Sequence, residues 1–131
     1  MKEVLEFLSR AKVFFLATDE GGQPRVRPLG FAMEYGGKLT LCTNNQKPMY
    51  KQMKDNPRVE IAAFDGQGNT LRICGKAVFA TTPESQEKAL EFMPDLRKMY
   101  AVGDGKFEVF YIDEAKAVRS TMTGEKTELA V

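Results

Sequence analysis

Glycine-rich turns divide this chain into runs that favour strands. The turns are Glu20-Gly21-Gly22, Tyr35-Gly36-Gly37, Asp65-Gly66-Gln67-Gly68-Asn69 and Gly103-Asp104-Gly105. Glycine supplies the positive φ such reversals need. Between them the sequence is rich in β-branched and aromatic residues. Ala11 to Thr18 carries Val13, Phe14, Phe15 and Leu16. Pro24 to Met33 alternates Arg25, Arg27, Leu29, Phe31 and Met33 with Val26, Pro28, Gly30 and Ala32. Lys38 to Thr43 follows a Gly-Gly turn and predicts a hairpin with the run before it. Arg58 to Phe64, Leu71 to Ala80 and Phe107 to Val118 bring the count to about six strands.

Three short helices fit between the strands. Lys2 to Ser9 places Val4, Leu5 and Leu8 on one side. Lys47 to Asp55 is closed by Asn56-Pro57, a stop signal. Thr82-Pro83-Glu84 reads as an N-cap, a proline in the first turn and an acid at the positive helix end, opening a helix to Phe92 or Met93. The order predicts a mainly β (α+β) domain, a closed or nearly closed antiparallel barrel. It is not a βαβ pattern, and no Gly-x-Gly-x-x-Gly follows a strand, which argues against a Rossmann dinucleotide site.

A chain of 131 residues suits one domain spanning 1–131. Its most restrictive chemical feature is the absence of histidine. Ser-His-Asp and Cys-His nucleophile systems are thereby excluded, and so are the usual zinc and haem ligand sets. A borrowed organic cofactor is then the natural source of reactivity. Nineteen Lys and Arg against eighteen Asp and Glu leave a net charge of +1, poor support for nucleic acid or an anionic membrane as partner. The acidic N-terminus lacks a signal-peptide pattern, and no apolar stretch approaches the ~18 residues of a membrane span, so a cytoplasmic location is expected. Cys42 and Cys74 sit in apolar strand-like runs and read as buried free thiols rather than a disulfide.

The stretch from Gln23 to Asn56 gathers the candidate site. Arg25 and Arg27 share one strand face, and Cys42-Thr43-Asn44 leads into a helix bearing Lys47, Lys51 and Lys54 at i, i+4 and i+7. A helix N-terminus with nearby hydroxyl, amide and cationic groups favours a phosphate. The same pattern also fits lysines solvated on an outer helix face and arginines guarding an edge strand.

Read together, Gln23-Pro24-Arg25-Val26-Arg27-Pro28-Leu29, Leu41-Cys42-Thr43-Asn44, Lys47, Tyr50-Lys51-Gln52, Asp55-Asn56-Pro57-Arg58-Val59 and Leu71-Arg72-Ile73-Cys74-Gly75-Lys76-Ala77 resemble the pyridoxamine 5'-phosphate oxidase-like FMN-binding split-barrel family. The likeness covers roughly residues 1 to 120. It implies an antiparallel, six-stranded split β-barrel of Greek-key type, with FMN held between two copies of the chain. By that resemblance Arg25, Val26, Arg27 and Pro28 run along the flavin. Cys42, Thr43 and Asn44 approach its ribityl chain or phosphate, and Lys47, Tyr50 and Lys51 surround the phosphate. Thr70, Leu71 and Arg72 reach across from the second subunit. Two departures stand out. Lys47-Pro48-Met49 replaces the Ser-Arg-Lys triplet of the oxidases proper, and their Arg-Leu-His segment has no counterpart. The short, nitroimidazole-reductase-like members are the closer match.

The expected function is FMN-dependent reduction of a small acceptor (a nitroaromatic, a quinone or another flavin) by a reduced nicotinamide donor. A non-catalytic flavin carrier or sensor uses the same residues, and a deazaflavin in place of FMN also fits. An oligonucleotide-binding barrel is disfavoured by the charge balance and the lack of tryptophan. Met93 to Tyr100 reads as a helix-to-strand connection at the barrel end, with a flavin lid as the other reading. Phe107 to Ile112 is apolar on both faces, as are Phe14 and Phe15, which suits a strand buried between the barrel and a partner subunit. Glu125 to Val131 reads as a loose tail.

Overall fold

The computed structural model describes residues 1–131. Its elements run α1 (Lys2–Ala11), β1 (Phe14–Glu20), β2 (Gln23–Leu29), β3 (Met33–Tyr35), β4 (Lys38–Asn44), α2 (Pro48–Asp55), β5 (Arg58–Phe64), β6 (Thr70–Phe79), α3 (Pro83–Phe92), a 3₁₀ turn (Pro94–Lys98), β7 (Phe107–Ser120) and β8 (Lys126–Leu129). One antiparallel sheet orders the strands β2-β1-β5-β6-β7-β4-β3, with β8 added on β7. The terminal strands β2 and β3 do not pair, so the curled sheet stays split between them. The mainly β fold with three helices is as expected, but there are eight strands rather than six.

Both extra strands have local causes. The run from Pro24 to Met33 is not one strand. β2 ends at Leu29, and beyond Gly30 Phe31 and Met33 are buried under α3. The C-terminal segment is no loose tail either. A turn at Thr121–Gly124 returns the chain, β8 pairs Ser120 with Lys126 and Ala117 with Leu129, and Leu129 enters the core.

Period-two burial shapes the barrel. Phe14, Leu16 and Thr18 of β1 face inward while Phe15 faces out. Val59, Ile61 and Ala63 repeat this on β5, and Leu71 and Ile73 on β6. The helices α1 and α2 contribute Val4, Phe7, Leu8, Met49 and Met53 to the same core. A full burial of such side chains is worth about 1.5–3 kcal/mol each. A second cluster joins Phe31, Met33, Phe107 and Val109 to Ala89 and Leu90 of α3. Thus the outer side of β7 here is filled by this chain's own α3, where the sequence suggested a partner subunit. The helix itself starts as expected: Thr82 accepts from the Ser85 amide, and Ser85 returns the bond to the Thr82 amide.

Gly75 marks a register shift between β6 and β7. A Cβ there would lie 2.5 Å from Ile112 Cγ2 and 2.7 Å from the Asp113 carbonyl oxygen. Only glycine allows that close approach. No helix is long and apolar enough to cross a membrane.

Candidate functional site

The β1–β2 hairpin sets two arginines on the inner side of the sheet edge, where β1 offers Thr18 opposite Arg25 and Leu16 opposite Arg27. Their fates differ. Arg25 gives its Nε to Glu20 at 3.0 Å, an exposed ion pair. Arg27 is half-buried and bonds only neutral acceptors: Leu16 O at 3.2 Å, Thr18 Oγ1 at 2.8 Å and Gln52 Oε1 at 2.7 Å. Thr18 donates to the same Gln52 oxygen at 2.6 Å, and the Gln52 amide reaches Glu20 at 3.3 Å. Burial lowers the Arg27 pKa from its ordinary value, while the hydrogen bond from Arg25, then that from Gln52, holds Glu20 low. Arg27 thus keeps a positive charge that no carboxylate of the chain neutralises.

Gln52 is the organiser that sequence reasoning passed over as a site residue. It stands on α2 between the buried Met49 and Met53 and is itself buried. A glutamine on the apolar face of a helix is the signal that marks such a residue, since a buried amide needs partners.

The segment before α2 divides by strand alternation. Thr43 follows Leu39 and Leu41 on the inner face, whereas Cys42 and Asn44 point to the α3 side. The two neighbours therefore serve opposite sides of the sheet. Asn44 Nδ2 donates to the Tyr100 hydroxyl at 2.8 Å, and its Oδ1 accepts from the Gln46 amide at 2.8 Å. Tyr100 stacks on Phe107, with centroids 4.7 Å apart, so the connection after α3 is tied down over this turn. Thr43 Oγ1 is buried and has no hydrogen-bond partner, the one such side-chain atom of the chain. A buried hydroxyl left unmatched is costly and invites a ligand or a water. Burial pushes the Cys42 thiol up to about 12, against the opposing pull of Lys47.

The expected lysine stripe does not converge. Lys47 is the N-cap of α2 and makes neither a side-chain cap bond nor an ion pair. Lys51 is held by Asp55 at 2.8 Å, which raises its pKa. Lys54 lies over the rings of Tyr50 and Phe79, and Tyr50 packs on Phe79 with centroids 4.7 Å apart. Of the basic groups on this side, Arg27, Lys47 and Lys54 are left without a carboxylate, and Lys54 is the one taken up by aromatic rings.

On the opposite, outer face lie Val26 and Pro28, and with them Thr70 and Arg72 of β6. Arg72 Nε donates to Glu60 at 2.7 Å. Leu71 is fully buried in the core, so only its backbone is available to a ligand. Cys74 is exposed on this face, contrary to the buried thiol expected, because it falls on the outward phase of β6. The largest cleft, about 500 Å³, lies elsewhere, between α1 and the end of α3. Its apolar lining brings together none of the residues above.

The sequence profile of the pyridoxamine 5'-phosphate oxidase family matches residues 1–119. A NimC/NimA family protein from Clostridium acetobutylicum superposes with a TM-score of 0.92 at 43% identity, covering 98% of this chain and 93% of that one. A pyridoxamine 5'-phosphate oxidase-related, FMN-binding protein from Nostoc punctiforme gives 0.65 at 14% identity, with 99% and 95% covered. A heme-binding protein from Mycobacterium smegmatis gives 0.71 at 17%, with 94% and 57% covered. At those lower identities the likeness is one of fold. No curated protein matches the sequence.

Proposed function

Since the chain belongs to the pyridoxamine 5'-phosphate oxidase family, we propose that it binds FMN as a homodimer and reduces a small acceptor with a reduced nicotinamide donor. The acceptor class is a nitroaromatic, a quinone or another flavin. The observation that carries the flavin site is the unpartnered, buried Thr43 Oγ1, beside a helix whose N-cap Lys47 is unpaired and whose Gln52 holds the uncompensated Arg27. These groups fit an anionic, hydroxyl-rich ligand.

FMN, when bound, supplies the hydride-accepting ring that this side-chain set lacks. Thr43 gives or accepts a hydrogen bond, Lys47 and the first turn of α2 face the phosphate, and Arg27 contributes charge held in a fixed orientation by Thr18 and Gln52. Arg25 and Lys51 are weaker candidates, since Glu20 and Asp55 already engage them. Cys42 stays a thiol and is no nucleophile.

The outer sheet face supports the dimer. Pro28, Phe15 and Ala62 align in register across β2, β1 and β5, and the row continues through Arg72 and Val118 to Glu128. Val26 and Phe64, 66% and 57% exposed, flank it. Covering this row with a second copy brings Thr70 and Arg72 to the interface. An apolar surface of this kind is a common site of association.

The test is a visible spectrum of purified chain after FMN addition and removal of excess, followed by anaerobic addition of NADH and NADPH with a nitroaromatic or quinone. Retention near one flavin per chain, with bleaching by a nicotinamide donor and reoxidation by the acceptor, is expected. No retained flavin overturns the site. Retained flavin that neither donor bleaches overturns the reductase and leaves a carrier.

A further inference from the structure

The two hydrophobic clusters do not close on each other between α1 and the end of α3. The cleft of about 500 Å³ lies there, with the buried Leu8 and Phe14 of the main core and Met33 of the second cluster in its lining. Leu5 of α1 and Phe92 and Met93 at the end of α3 are its more open apolar groups, and Phe92 is 58% exposed. Phe31 meets the Phe92 ring edge-on, with centroids 5.5 Å apart, which steadies that ring. Gly30, just beyond β2, adds no side chain to the cleft. A cavity of this size and mostly apolar lining suits a small molecule.

Its charged groups are unequal. Glu6, the one carboxylate of the lining, is exposed and stands 4.0 Å from Lys2. Lys12 pairs with no carboxylate. Its backbone is also unusual: φ is 67° and ψ −48°, and the Val13 amide donates to the Ala11 carbonyl at 2.7 Å. That is a γ-turn of the rare, strained hand, in a residue other than glycine. Strain kept at the edge of a cavity, in a residue whose charge is uncompensated, points to recognition.

We propose that this cleft binds a small aromatic carboxylate, the ring among Leu5, Met33, Phe92 and Met93 and the carboxylate at the Lys12 ammonium. Methionine sulfur and aromatic edges suit a flat, polarisable ring. The free ammonium supplies a charge-assisted donor. With Glu6 offset by Lys2, the charge of the cleft is that of Lys12. No residue of the lining belongs to the flavin set or to the outer row, so the inference stands without the flavin reading.

The experiment titrates the isotope-labelled full chain with naphthoate, and with naphthamide as its neutral counterpart, following backbone amide shifts. Saturable shifts at Leu5, Ser9, Lys12, Gly30 and Phe92 are expected, with naphthoate bound about tenfold or more tighter than naphthamide. Lys12→Gln should abolish that preference. Lys12→Gly should abolish it too, while its urea midpoint stays at or above the parent's, because glycine relieves the turn. Phe92→Ala, at an exposed ring, should weaken both ligands alike. Equal affinity for acid and amide in the parent overturns the proposal, as does a preference that survives in Lys12→Gln. Shifts centred on Val26 and Phe64 instead would place the ligand on the outer face and overturn it as well.

Discussion

On β1, Leu16 and Phe15 are adjacent in sequence and opposite in surroundings. Leu16 is fully buried among side chains from both barrel halves, whereas Phe15 is 47% exposed between Pro28 and Ala62. The same division runs along β5 and β6, where Ile61 and Ile73 face in while Ala62 and Arg72 face out. The apolar part of the inner face is finished within one chain, and only its polar edge, with Thr43, Gln52 and Arg27, leaves groups open to a ligand. The outer face has apolar side chains without cover. Stability therefore resides chiefly on one side of the sheet, and association with a second copy on the other.

The largest effect expected from this division is on Leu16. Leu16→Ala leaves a cavity in the main core and should cost about 2–5 kcal/mol in urea unfolding. Phe15→Ala should change the stability of the monomer by no more than about 0.5 kcal/mol, while weakening self-association in sedimentation. Equal destabilisation by both would erase the distinction between the faces.

A sharper version concerns the polar part of the inner face. Gln52→Leu keeps the volume on α2 but removes the acceptor of Thr18 and Arg27. The expected loss is about 1–3 kcal/mol, because the buried Thr18 hydroxyl and one amino group of the half-buried Arg27 lose their acceptor. FMN affinity should fall with it if Arg27 must be held in place to act. Gln52→Glu distinguishes the roles, since it restores an acceptor yet neutralises the Arg27 charge. A variant that recovers stability without recovering flavin retention would show that the charge, not the packing, matters to the ligand.

The thiols provide a third comparison. Cys42, on the α3 side, has its pKa pushed up to about 12 by burial, whereas Cys74 is exposed on the outer face. A disulfide reagent at neutral pH should consume one thiol per chain quickly and the second only as the protein unfolds. If two copies meet through the outer face, the fast reaction should slow as the protein concentration rises. Two equally fast thiols would contradict the burial of Cys42.

These pairs also show what the sequence disclosed and what it withheld. Period-two runs such as Val59, Ile61 and Ala63 revealed the core face directly, and Thr82-Pro83-Glu84 and Asn56-Pro57 bounded their helices, because each signal is local. β8 was missed because Lys126–Leu129 has one buried apolar residue, and its strand character comes from pairing with β7. The outward phase of Cys74 depends on register, which an apolar run does not reveal. The tie between Asn44 and Tyr100 spans 56 positions and has no local signature. The arginines were legible as a pair, but the carboxylate that engages Arg25 and not Arg27 follows from hairpin geometry.

The smallest effect expected belongs to the turns, which lie on neither face. Asp104 accepts from the amides of Phe107, Lys106 and Ala101 at 2.8 to 3.1 Å, and the first two bonds chiefly hold its pKa below the ordinary value. Asp65 is held low first by the Asn69 side chain, then by the Gln67 and Asn69 amides. A carboxylate with a depressed folded pKa stabilises the protein above its unfolded pKa, near 4 for Asp, and loses that contribution as pH falls through the folded value. Urea midpoints should therefore decline on the acid side of about pH 4 and stay flat through neutrality. In Asp104→Asn the side-chain carbonyl still accepts, so the turn survives with a slightly lower midpoint at neutral pH. Part of the acid-side slope then disappears. Because Asp104 is only half-buried, the change is small and shrinks further with added salt only in its coulombic part, from Lys106. An unchanged slope in the variant would mean that the three amide bonds do not persist in solution, and that the strap carrying Tyr100 is looser than its hydrogen bonds imply.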